Sequence, residues 1–252
     1  MGAAIDGLER FAAGQGLVLR PARPDDLSSL LRLHLQCFEP PPERRINGYE
    51  LYRILRFGRP ALLEGPHGPV GYDLAVGYAS DPPVSGSAGL TVHPDWRGRG
   101  LATALLRYSL IRDLEAGFRW RCGVVSPRNL GSLVILLNHL GFVCDGFHPR
   151  FADWGESRFT HRCEITRDVL RRRATDRDAL ASLLDAGEAG KDYLLLAPDD
   201  DAAIARAYAP GPFRVAAVVP GDLVSGGGGD PRLLALPEAG PGALAGGRSG
   251  RR

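Results

Sequence analysis

Apolar and polar positions alternate along residues 17–22 (LVLRPA) and stop at proline, which predicts a first strand. After Asp25 and Asp26, the residues Leu27, Leu30, Leu31, Leu33 and Leu35 recur at helical spacing, and the acids suit the start of that helix. The run EPPP at 39–42 ends it, because proline cannot donate the helical hydrogen bond. INGYELYRILRFG then predicts a second short helix closed by Gly58. PALLEG (60–65), PVGYDLAVGYAS (69–80) and SAGLTVHP (87–94) predict three strands. Leu101, Leu105, Leu106, Ile111 and Leu114 share one helical face, with Gly117 at its stop. FRWRCGVVSP (118–127) predicts a strand, and LGSLVILLNHLG a very apolar helix ended by Gly141. FVCDGF (142–147) and RFTHRCEIT (158–166) predict two closing strands. The order βααβββαβαββ is that of an α+β fold, a mixed central sheet flanked by helices.

The pattern shifts near residue 167. RDVLRRRATDRDALASLLDAGEAG reads as one or two amphipathic helices, followed by strand, helix and strand in DYLLLAP, DDDAAIARAY and FRVAAVVP. This small C-terminal α/β extension is too short to bury a core of its own and needs something to pack on. From Gly221 onward the chain is rich in Gly, Pro and Ala and reads as a disordered tail. The expected division is a lead segment at 1–16, a main domain at 17–167, the extension at 168–220 and the tail at 221–252.

Composition narrows the function classes. Apolar residues are 44% and charged residues 24% of the 252, the balance of a globular protein. No apolar run reaches the roughly 18–20 residues that span a bilayer. The start, MGAAIDGLERFAAGQG, lacks the basic beginning and apolar core of a secretory signal, so the expectation is a cytoplasmic protein with no membrane partner. The formal charge is +2, the acids are interspersed with the bases, and a nucleic-acid partner is not expected. The short basic clusters Arg97/Arg99, Arg119/Arg121 and Arg171–Arg173 with Arg177 read as solvated surface. Cys37, Cys122, Cys144 and Cys163 form no C-x-x-C pair and fit no zinc spacing, which predicts buried, reduced thiols and no structural metal.

The chemistry concentrates in LTVHPDWRGRGLATALL, residues 90–106. A strand ends at Pro94, a tight turn holds Arg97, Gly98, Arg99 and Gly100, and a helix begins at about Leu101. Two glycines allow a sharp turn whose N–H groups are not screened by Cβ atoms. Those groups and the helix N-terminus converge on one spot, an anion site of the kind that cradles phosphate. No G-K-[S/T] follows, so it is not a P-loop, and with Thr103 in the last position no G-x-G-x-x-G is complete.

Arg97-x-x-Gly100-x-Ala102, following V-x-P-x-x, resembles the acetyl-CoA motif [Q/R]-x-x-G-x-[G/A] of the GCN5-related N-acetyltransferases. A second block agrees: Asn129, Ser132 and an apolar helix ending in Gly141-Phe142 resemble the family's N-x-x-[A/S]…G-F segment. The resemblance covers residues 17–166. It implies that Leu90, Thr91 and Val92 bond the pantetheine arm through their backbone, with an N–H near Val92 polarising the acetyl carbonyl. It implies that Arg97, Gly98, Arg99, Gly100, Leu101 and Ala102 hold the pyrophosphate, with Thr103 at its edge, and that Asn129 and Ser132 flank the acyl end. The implied activity is transfer of acetyl from acetyl-CoA to a primary amine of a small molecule or peptide, by direct attack and without an acyl-enzyme. The implied assembly is a monomer or homodimer.

The family's acid and base are harder to find. Many relatives carry a tyrosine in the helix after the asparagine, and here the matching positions are Leu136 or Leu137. The stretch from Asn129 to Gly141 is one residue longer than the pattern, which a helical bulge or a shifted helix start would absorb. Residues 86–92 contain no acid. Asp73, otherwise a solvent-facing strand residue, and His93 are the candidate bases nearest the loop. Ser126 and Ser132 are poor acids. No catalytic residue is therefore assigned. The acceptor side is sketched by Phe38, Glu39, Glu43, Tyr49, Glu50 and Tyr52, with Phe151, Asp153, Trp154 and Glu156 opposite. A catalytically silent acyl-CoA-binding module is the alternative that these gaps leave open.

Overall fold

The computed structural model describes residues 2–38, 46–152, 155–171, 174–190, 193–209, 213–224 and 229–237. Glu39, Glu43, Asp153 and Trp154 of the acceptor sketch, the proline run at 39–42 and residues 238–252 lie outside them. The chain divides into two compact units, 1–123 with 163–172, and 124–162 with 173–252.

The first unit opens with helix α1 (Gly2–Ala13), where only a lead segment was expected. Then come β1 (Val18–Pro21), α2 (Leu27–Phe38), α3 (Gly48–Phe57), β2 (Ala61–Gly65), β3 (Gly68–Tyr78), β4 (Val84–Val92) and α4 (Leu101–Glu115). Strand β5 (Trp120–Val125) begins in this unit. The strands lie in the order β1-β2-β3-β4-β5. The pairs β1–β2, β2–β3 and β3–β4 are antiparallel, and β4–β5 is parallel. Strand alternation splits the apolar residues between two faces. Leu19, Leu63, Val70 and Val92 pack with Leu101, Leu105 and Tyr108 of α4. Leu62, Tyr72 and Leu74 pack with Leu30 and Leu33 of α2 and with Leu51, Ile54 and Leu55 of α3.

β4 starts three residues earlier than its apolar pattern suggests. Ser85 and Gly86 carry no apolar signal, yet both are buried in the sheet. A Cβ at Gly86 would meet Tyr78 Cε2 at 2.5 Å, so any larger residue there has to displace the exposed Tyr78 ring.

The second unit holds α5 (Leu130–Leu133), β6 (Val143–His148) and most of β7 (Arg158–Glu164). It continues with α7 (Arg177–Gly190), β8 (Leu194–Leu196), α8 (Asp201–Tyr208), β9 (Phe213–Val219) and β10 (Arg232–Pro237), while α6 (Arg167–Arg171) belongs to the first unit. Its strand order is β7-β6-β9-β10-β8. β10 corrects the expectation of disorder from residue 221: Leu233, Leu234 and Ala235 are fully buried, and RLLALP is an apolar run that glycines merely flank. With β10 in place the extension does bury a cluster of its own, Leu180, Leu184, Ala217, Val219 and Leu234.

The extra residue between Asn129 and Gly141 is absorbed as a helical bulge. Helix α5 passes into a π-helical turn at Val134–His139. The turn buries Asn138, whose amide pairs with β9 on both sides: Nδ2 donates to Val218 O (2.8 Å) and Oδ1 accepts from Val218 N–H (2.9 Å).

Candidate functional site

The candidate site is built around the end of β4. Residues pair with β5 only at Val84–Trp120, Ser85–Arg121 and Gly86–Cys122. Beyond Gly86, β4 continues to Val92 along β3 alone. A bulge marks the change: Leu74 faces Gly89 and Ala75 faces Ser87, leaving Ala88 as the extra residue. A bulge bends a strand and turns it out of register. Strand β4 therefore leaves β5 at a fork, and its residues 87–92 have one edge without a β5 partner.

At the end of this strand, Pro94–Trp96 form a short 3₁₀ turn, and the chain reaches α4 through Arg97–Gly100. Gly98 and Gly100 both sit in the left-handed region, at φ +75° and +74°, where a side chain would be strained. The first helical bond runs from Ala104 N–H to Gly100 O (3.1 Å), so Gly100 is the N-cap and offers no side chain to cap the helix. The first-turn N–H groups of Leu101 and Ala102 are thereby presented towards the loop. A Cβ at Gly98 would meet nothing within 4 Å, so the loop is open on that side.

The two loop arginines are held differently. Arg97 Nε donates to Val92 O at 3.0 Å, tying the loop back to the strand end. Arg99 lies over the Trp96 ring (4.8 Å to its centroid) and donates to Asp95 O at 3.2 Å. Leu90, Thr91, Val92 and Arg97–Thr103 thus form one continuous strand–loop–helix unit. Asn129 and Ser132 belong to the second unit, where Asn129 Oδ1 caps α5 by accepting from Ser132 N–H (3.1 Å).

The candidate bases fare otherwise. Asp73 is completely buried, which corrects its reading as a solvent-facing residue or base. It is ion-paired with Arg121, itself completely buried rather than part of a solvated basic cluster. Arg121 Nη1 also donates to Asp113 Oδ2 (2.6 Å) and Nε to Ser87 Oγ (2.9 Å). Asp113 is in turn bonded by Arg59 Nε (2.9 Å), and Arg59 stacks on Phe118 at 3.8 Å. Two arginines and two aspartates balance in charge, as buried ions must. This cluster pins β3, β4, β5 and α4 together at the root of the fork. No periodicity in the sequence betrays it, because each member stands alone on its own element.

His93 is engaged in its own turn, its Nδ1 accepting from Asp95 N–H at 3.4 Å. Leu136 and Leu137, where relatives carry tyrosine, are buried apolar side chains. A different pair is visible on the α2 side of the sheet. His34 Nδ1 lies 2.6 Å from Tyr72 Oη. Tyr72 is the cross-strand partner of Thr91, and its ring lies 3.6 Å from where a Gly89 Cβ would stand. Burial pushes the Tyr72 hydroxyl up and the His34 ring down, so at neutral pH both are uncharged. A histidine on an apolar helix and a tyrosine on a strand gave no signal in the sequence that they would meet.

No protein-family model matches the chain, and no curated protein matches it by sequence. Solved structures do match. The NatC complex bound to Gag peptide and CoA aligns with a TM-score of 0.54 at 15% identity, covering 60% of this chain and 99% of the other. Arabidopsis thaliana NAA60 in complex with acetyl-CoA gives 0.53 at 16% identity, covering 59% and 99%. A GNAT-family acetyltransferase from Streptococcus pneumoniae gives 0.51 at 15%, covering 60% and 99%. The forked mixed sheet, the bulged β4 and the glycine loop running into α4 agree with that likeness, and the chain has the fold of the GCN5-related N-acetyltransferases.

Proposed function

We propose that the protein is an acyl-CoA-dependent N-acyltransferase that moves acetyl from acetyl-CoA to a primary amine of a small molecule or peptide. The observation that carries this reading is the loop at 97–101. Two left-handed glycines and an uncapped helix start leave a set of backbone N–H groups for an anion, and a strand edge without a β5 partner lies immediately before it. That pairing of an anion cradle with an open strand edge suits a long ligand with a pyrophosphate at one end and amide groups along its arm. Two of the structures with this fold hold CoA or acetyl-CoA, which supports the same ligand here.

On this reading the loop from Arg97 to Ala102 holds the pyrophosphate, with Thr103 at its edge and the arginines adding charge. Backbone groups of Leu90, Thr91 and Val92 bond the pantetheine arm and align the thioester. Asn129 and Ser132 flank the acyl end. The neutral amine nitrogen attacks the thioester carbonyl directly, the carbon–sulfur bond breaks, and the proton that the amine gives up ends on the departing sulfur, which leaves as CoA. Positioning and a polarised carbonyl supply most of the acceleration.

A second reading, a silent acyl-CoA-binding module, draws support from the buried Leu136 and Leu137 and from the engagement of Asp73 with Arg121. One experiment separates the two. Calorimetric titration with acetyl-CoA, with free CoA as control, is followed by thiol release across a panel of primary amines. Saturable micromolar binding with turnover supports the transferase. Binding without turnover on any amine supports the silent module, and no binding to folded protein removes both.

A further inference from the structure

Helix α1 lies outside the stretch that resembles the family, yet it rests on the loop that defines the site. Its Ala12 is fully buried in the same cluster as Val92, Leu101, Leu105 and Tyr108, and Ile5 and Leu8 pack against that cluster. The helix is thus anchored to both banks of the loop, the end of β4 and the start of α4. Two side chains reach the loop itself. A Cβ at Gly100 would stand 3.5 Å from Phe11 Cζ, so the ring tip abuts the glycine that caps α4. Gln15 Nε2 donates to Arg99 O at 3.5 Å. Phe11 is 42% exposed, so it is not part of the buried core.

We propose that α1 is part of the cofactor site, with Phe11 and Gln15 as positioning residues that hold loop 97–101 in its anion-receiving conformation. The proposal rests on the acyl-CoA reading above. Its physical basis is the freedom of the loop. Glycine enters the left-handed region as readily as other regions, so Gly98 and Gly100 by themselves do not prefer the conformation they adopt. A wall against Gly100 and a tether on the neighbouring carbonyl remove alternative conformations before the ligand arrives. The ligand then gives up less of its binding free energy to ordering the loop. The effect is expected at the pyrophosphate end, because Phe11 abuts Gly100 and Gln15 bonds Arg99 O.

The test compares two probes on the full chain. Acetyl-CoA is titrated by calorimetry, and S-acetyl-pantetheine, which lacks the pyrophosphate, by saturation-transfer NMR. Phe11→Ala combined with Gln15→Ala is expected to weaken acetyl-CoA about tenfold and to leave S-acetyl-pantetheine within about twofold. Phe11→Leu, which keeps an apolar wall, is expected to recover most of the loss. Gln15→Ala alone shows a smaller loss of the same kind and stands in should the double variant fail to fold. Unchanged acetyl-CoA affinity overturns the proposal, as does an equal loss for both probes, which would mark α1 as general scaffold. A wild-type protein that binds no acetyl-CoA overturns the cofactor reading and this proposal together, whereas wild-type binding that the variants do not alter overturns this proposal alone.

Discussion

Arg121 and the Arg97–Arg99 loop lie at opposite ends of β4, and they use the same residue type in opposite ways. Arg121 is sealed in the interior, with its guanidinium shared between Asp73, Asp113 and Ser87. Arg97 and Arg99 are exposed, and among the described residues they donate to backbone carbonyls, Val92 O and Asp95 O, rather than to a carboxylate. An arginine whose charge is neutralised inside the protein is committed to the fold. An arginine bonded only to neutral carbonyls beside open N–H groups keeps its positive field for an incoming anion. Arginine counts say nothing of this difference. The partners decide it.

The sharpest way to break the contrast is Arg121→Met. Removing Arg121 leaves buried Asp73 without its ion-pair partner and Asp113 with Arg59 alone, and such a loss costs about 3–5 kcal/mol. Denaturant unfolding reads it directly. A change below about 1 kcal/mol would mean the cluster is not the clamp its geometry suggests. Next in size is Gly100→Asp. It places a side chain at φ +74°, against Phe11, and adds negative charge where the phosphate would sit. Acetyl-CoA binding should be lost from the micromolar range while stability falls only by the roughly 1–2 kcal/mol that a side chain in the left-handed region costs. A variant that binds like the wild type would place the anion elsewhere. Arg97→Ala is milder, with an expected loss of about 1–3 kcal/mol in acetyl-CoA affinity that shrinks in added salt.

These predictions divide along the line between what the sequence shows and what it hides. The backbone shape of the loop was legible because it is local: Gly98, Gly100 and the start of α4 lie within a few residues, and the geometry follows from glycine placement. The order of elements from β1 to β7 was legible for the same reason, since apolar period and turn residues act over short windows. The Arg121 cluster was not, because Arg59, Asp73, Asp113 and Arg121 come from four places and meet only through the packing of β3, β5 and α4. Solvent exposure was the wrong expectation for Arg121 and Asp73, and their burial reflects pairing rather than hydropathy. β10 was missed because glycines on both sides outweighed six residues, RLLALP, that complete a core begun by Leu180 and Val219. The His34–Tyr72 pair and the contact of Phe11 with Gly100 were hidden likewise, each joining a helix to a distant part of the sheet or loop.

Arg20 supplies an intermediate case and the smallest effect. Its guanidinium grips Asp26 with two hydrogen bonds, 2.9 and 2.8 Å, and Asp26 also accepts from Arg23 N–H at 2.7 Å. The Arg20 hydrogen bonds hold the Asp26 carboxyl below the usual carboxylate range. The folded pKa is thus lower than the unfolded one, so this pair stabilises the protein above the ordinary carboxylate pKa. The contribution is lost as pH falls through the depressed folded value. Both side chains are partly solvated, at 23% and 15% exposure, so screening limits the contribution to about 1 kcal/mol or less. Asp26→Asn should lower stability by that amount at pH 7, and the gap from wild type should close progressively on acidification below about pH 4. Salt should also narrow the gap at pH 7. The same titration on the Arg121 ion pairs should be nearly insensitive to salt, since Asp73, Asp113 and Arg121 are completely buried. If salt weakened both alike, burial would not be what separates the arginine that builds the fold from those that await a ligand.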